Sequence, residues 1–66
     1  MNAPVRLAAL AQRGDVIGWA GRWHTVEHVR TVRLATGGLA IVLTWKDGGS
    51  ARMTAGEMLL LGDRPT

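Results

Sequence analysis

Leu39-Ala40-Ile41-Val42-Leu43-Thr44-Trp45-Lys46, followed at once by Asp47-Gly48-Gly49, is the stretch whose reading decides the fold. Leu39, Ile41, Leu43 and Trp45 alternate with Ala40, Val42, Thr44 and Lys46, the period of two that a strand imposes. Both faces are apolar at the centre, so both are expected to be covered. Asp-Gly-Gly is the strongest turn signal in the chain and predicts a hairpin at its end.

Working upstream, Thr36-Gly37-Gly38 predicts a second hairpin turn. Before it, Arg22 to Leu34 is rich in β-branched residues and reads as a long strand. Its valines, Val26, Val29 and Val32, are spaced by three, which a strand accommodates only if a bulge resets its faces, here near Glu27-His28. Ala20-Gly21 predicts a turn into a short strand, Val16 to Trp19. A helical reading of the same stretch, with Trp19, Trp23, Val26 and Arg30 near a period of 3.6, conflicts with Gly18, Gly21 and the β-branched content of Thr25 to Val32.

Pro4 to Arg13 predicts a short amino-terminal helix. Pro4 suits its first position, Leu7, Leu10 and Ala11 fall on one side, and Gly14 suits its carboxyl end. So short a helix has to dock, and Leu7 and Leu10 are expected to cover Ala40 and Val42. Downstream of the deciding strand, Ser50 to Met53 reads as a strand. Thr54 to Glu57 reads as one capped helical turn, and Met58 to Leu61 as a last strand. Residues 62–66 are expected to form a tail.

The expected architecture is therefore all-β, or β with one short amino-terminal helix, in a single domain over 1–66. It comprises a helix over 4–13 and a small barrel over 14–61, with five strands and one helical turn between the fourth and fifth. That plan resembles the SH3-like small barrels, a superfamily that includes KOW, Tudor and Sm-type modules. The resemblance is one of architecture over about Gly14 to Leu61 and implies a binding module.

Composition bounds the rest. A chain of 66 residues allows one domain, and a domain this small buries only about 60% of its unfolded surface. The hydrophobic fraction of 47% is globular but much of it is alanine. The expected core is Val16, Ile17, Trp19, Trp23, Val26, Val29, Val32, Leu34, Leu39, Ile41, Val42, Leu43, Trp45, Met53 and Met58 to Leu61, which leaves little for a deep substrate pocket. The absence of cysteine rules out disulfides and thiolate metal sites. No apolar run approaches the roughly 20 residues that cross a bilayer. The first residues lack a secretory signal, so a cytoplasmic location is expected. The arginine-, alanine-, glycine- and valine-rich composition points to a GC-rich bacterial or phage gene.

His24-Thr25-Val26-Glu27-His28 spells H-x-x-E-H, a zinc-peptidase string that needs a helix, a third ligand and a cleft. The β-branched setting and the lack of another histidine or cysteine argue for two ordinary strand histidines, with no metal and no cofactor expected. The acids are scattered, with Asp15 and Asp47 expected as turn residues. Ser50 has no histidine nearby, so no catalytic residues are expected and the chain is read as not an enzyme.

A net charge of +3 and a pI near 11.2 favour an anionic partner. Arg22, Trp23, Arg30, Arg33, Lys46 and Arg52 are the candidate nucleic-acid-binding residues, with arginine and lysine holding phosphates and Trp23 stacking a base. Trp45 is expected in the core, whereas Trp23 is read as either core or surface, because its face otherwise carries Thr25 and Glu27. The leading expectation is a DNA-binding module of little sequence preference. The alternatives are a phage- or mobile-element-encoded protein-interaction module and a subunit of a homo-oligomer. One contiguous basic patch favours the first, and scatter favours a protein partner. Without Tyr or Phe, the aromatic groove that binds proline-rich peptides is not expected.

Overall fold

Three short hairpins build the molecule, seen in a computed structural model that describes residues 4–62. Trp19 and Arg22 face each other across a two-residue turn in which Ala20 and Gly21 both hold positive φ, 53° and 77°. That is the turn type whose twist matches paired strands. It joins β2 (Val16–Trp19) to β3 (Arg22–Arg33). The next two hairpins use one loop design twice. In each, the N–H of the first residue donates to the carbonyl of the fifth, and the N–H of the fourth donates back to the first. Leu34 to Gly38 joins β3 to β4 (Leu39–Trp45) this way, and Trp45 to Gly49 joins β4 to β5 (Ser50–Thr54). The fourth place is Gly37 in one and Gly48 in the other, at φ 96° and 98°, where a side chain would be strained.

A tight turn over Thr54 to Glu57, closed by the Glu57 N–H on the Thr54 carbonyl, leads into β6 (Met58–Leu61). It stands where one helical turn was expected. β6 pairs with β2, and its other edge is taken by β1 (Val5–Leu7). The result is one antiparallel sheet of six strands in the order β1-β6-β2-β3-β4-β5.

The expected helix over 4–13 is therefore corrected. Val5–Leu7 is a strand, and only Ala8–Leu10 turns, as one 3-10 helix. β6 offers an unpaired backbone edge with apolar neighbours. A ladder that pairs it, with the Leu61 N–H on the Pro4 carbonyl, satisfies groups that an isolated short helix would leave open. The strand count is corrected from five to six. The sheet is not closed, because β1 and β5 end it on opposite sides. Leu7 and Leu10 do not cover Ala40 and Val42. They are 39% and 61% exposed, while Ala8 and Ala11 are buried in their place. The tail expected over 62–66 falls, after Gly62, outside the described residues.

β3 is long enough to serve both halves of the sheet. Its register shifts between Val26 and His28, so Glu27 is the extra residue of a bulge where one was expected. Val26 faces Trp45 and Val29 faces Leu43, which explains their spacing of three. Val32 pairs with Ala40 on the opposite face and is not a core residue. The core gathers Ile17, Val26, Ile41, Leu43, Trp45, Met53 and Leu59, with Ala8, Ala11 and Ala51 filling its margins and Trp19 and Leu61 packed against it.

Candidate functional site

Cross-strand partners share a face of the sheet, so register alone sorts the candidate residues. All six (Arg22, Trp23, Arg30, Arg33, Lys46 and Arg52) are exposed, but they do not form one patch. Arg30 pairs with Val42, and Val42 with Arg52, so two arginines flank an apolar residue in one row across β3-β4-β5. Arg33 is three residues beyond Arg30 with no bulge between, which places it on the opposite face. Trp23 lies seven residues before Arg30, about 20 Å along the strand. Arg22 and Trp23 line a cleft of about 300 Å³ with Trp19 and Leu60. Lys46 and Trp23 line another of about 360 Å³ with His24, Thr25 and Asp47. The basic residues are thus split between two ends of the molecule and two faces.

Trp23 is held by the backbone it lies on. A Cβ on Gly62 would meet the indole and Val16 at 3.0 Å, and one on Gly18 would meet the indole at 3.2 Å. Two glycines therefore seat the ring flat on the sheet and leave it 58% exposed.

The face Trp23 lies on went unnoticed in the sequence. Val5, Leu60, Gly18 and Trp23 form one row across β1-β6-β2-β3. Leu7 and Met58 form a neighbouring row, and Val16 and Thr25 another. None of these eight positions carries a charge. Of the eight exposed large hydrophobic residues among those described, five are here: Val5, Leu7, Trp23, Met58 and Leu60. The signal was present in the unbroken apolar run Met58 to Leu61. It became legible only once β1 was known to be a strand.

A buried carboxylate and a partly buried imidazole belong to this half. Asp15, expected as a turn residue, is 2% exposed. Its Oδ2 accepts from Arg6 Nη1 at 2.6 Å and from the Gln12 N–H at 2.9 Å. His24 stacks on Trp45, ring centroids 4.6 Å apart. Its buried Nδ1 has no hydrogen bond and lies 3.7 Å from Asp47 Oδ1, too far for one. The bulge at Glu27 turns His28 outward opposite Thr44, while His24 faces inward opposite Ile17. The two histidines of the H-x-x-E-H string therefore point to opposite faces. Among the described residues no three His, Cys, Asp or Glu side chains gather to hold a metal, and no helix is long and apolar enough to cross a membrane.

Comparison with protein families, curated proteins and solved structures finds no match for this chain.

Proposed function

We propose that the chain is a non-enzymatic docking module that binds a protein partner through the outer face of β1-β6-β2-β3. One observation carries this reading: three adjoining rows of that face hold no charged residue, and Val5, Met58, Leu60 and Trp23 are each about half exposed or more. Contiguous exposed apolar patches rimmed by polar residues are a common mark of interaction surfaces. A trapped aromatic anchor such as Trp23 is the residue type on which binding energy concentrates. The separation of the basic residues argues in the same direction. The five-strand core order β6-β2-β3-β4-β5, with a tight turn joining β5 to β6, is compatible with the SH3-like plan, whose members are commonly binding modules.

A photo-activatable side chain at position 60 tests the reading in living cells. A discrete protein adduct is expected there, and it should disappear when Met58→Glu is added. The absence of any protein adduct at position 60, with nucleic-acid adducts from the same side chain at position 52, would refute it.

A second reading has its own observation. The Arg30–Val42–Arg52 row presents two exposed cations on the outer face of the other half, a spacing of two strands, about 10 Å. It is suited to weak, sequence-independent phosphate contacts.

A further inference from the structure

We infer that the open edge of β5 takes up an extended peptide segment as one more antiparallel strand, with an acidic residue of that segment opposite Arg52. The inference goes beyond the docking reading, because it concerns the other end of the sheet. Backbone accounting is the first argument. The Trp45 N–H donates to the Gly49 carbonyl, and the Ala55 N–H donates to the Leu39 carbonyl, at the two ends of the β4-β5 pairing. In an antiparallel pair such bonds recur at every second residue. Ala51 and Met53 therefore also turn their backbone groups toward β4, opposite Leu43 and Ile41. Ser50 and Arg52 turn theirs away. Among the described residues no strand pairs with β5 on that side. Unpaired groups along an edge are a template for a further strand. The two ends of the sheet differ in this respect. β1 has three residues and runs straight into the 3-10 turn at Ala8. β5 has five, pairs without a register shift and contains no proline.

Charge selects the occupant. Arg52 stands at the centre of β5, exposed on the outer face. A residue directly opposite it in an added strand has its Cβ about 5 Å away, where an opposite charge stabilises and a like charge destabilises. Arg30 lies in the same row and the chain carries a net +3, so the wider field also favours an acid. A second copy paired about Arg52 would set two guanidinium groups against each other. Ala51 and Met53 are buried on the inner face. The residues that flank the acid alternate to that face and are therefore apolar. The segment that fits this edge reads apolar, acidic, apolar.

Amide NMR of the isotope-labelled chain is the test, with a capped synthetic peptide of alternating threonine and valine that carries glutamate at its centre. The Ser50 and Arg52 N–H signals should move downfield and exchange more slowly with solvent, while those of Ala51 and Met53 change little. Lysine in place of the peptide's glutamate should weaken binding roughly tenfold, and Arg52→Glu should reverse that preference. N-methylation of the central glutamate leaves its charge and removes its N–H. It should abolish binding to the unmodified chain, so the outcome does not depend on a variant that folds. The inference is overturned if Ser50 and Arg52 do not respond at millimolar peptide, if the lysine peptide binds equally well, or if the N-methylated peptide binds as the parent does. Slow exchange at Ser50 and Arg52 without peptide, growing with protein concentration, would give the edge to a second copy and overturn it too. None of these outcomes bears on adducts at position 60, so the docking reading stands or falls separately.

Discussion

Ala20 holds a φ of 53°, a left-handed conformation that costs a residue with a Cβ about 1 kcal/mol or more. Asparagine tolerates that region, and Asn-Gly is the preferred pair for this turn. Ala20→Asn should raise stability by about 0.5–1 kcal/mol, a gain of a few degrees in thermal unfolding. Arg6 makes the opposite case. It reaches the buried Asp15 carboxylate from the inward side of β1, opposite Leu59. Arg6→Ala takes the Arg6 guanidinium away from that carboxylate. Denaturant titration should then show a loss of about 3 kcal/mol. The tryptophans divide by the same logic of faces. Trp45 continues the Ile41 and Leu43 face, and its burial was legible from alternation. Trp23 was not legible, because its exposure depends on Gly62, a residue 39 positions away that is brought beneath it only by β6.

At the scale of elements, hairpin signals proved the most readable part of the sequence. The Gly37 and Gly48 loops adopt one geometry because both place a threonine or aspartate before two glycines. Gly37→Ala and Gly48→Ala should each cost about 1–2 kcal/mol through strain at positive φ, measured by thermal unfolding. The bulge in β3 was legible for a similar reason. A spacing of three between Val26 and Val29 has only one explanation once the segment is a strand. The amino-terminal segment was not legible. Its pattern at Pro4, Leu7, Leu10 and Gly14 satisfies helix rules, and a three-residue strand carries too little periodicity to compete. Leu10→Ala, on that segment, should change stability by no more than about 0.5 kcal/mol, since the side chain is 61% exposed. A docked helix would have made it far more costly.

For the whole molecule, the distribution of charge matters more than its sum. One face with four or five cations would give duplex-DNA affinity a log–log salt slope of about −3 to −4, whereas the Arg30–Arg52 row alone gives about −2. A fluorescence titration with random-sequence duplex should therefore show weak binding with the shallower slope, and Arg30→Ala should lower it by about one more unit. A slope near −4 in the unmodified chain would show that the separated basic residues act together after all. The same contrast sets the two outer faces apart. The half built from β3, β4 and β5 carries arginine in its central row, and the half built from β1, β6, β2 and β3 carries none.

The sequence by itself determined the β class, the positions of β2 to β6, the three hairpin turns and the bulge. Each of those is written in local chemistry: alternation with a period of two, glycine where φ must be positive, a β-branched run that resists a helix. The tertiary structure alone decided the rest. It made β1 a strand because β6 had an edge to pair, and it buried Asp15 because Arg6 came within reach. It also divided the basic residues between faces, because register, not proximity in the chain, assigns side chains to a side of the sheet. The charge-free face exists for the same reason. Its rows join residues from both ends of the chain, and only long-range pairing could bring them together.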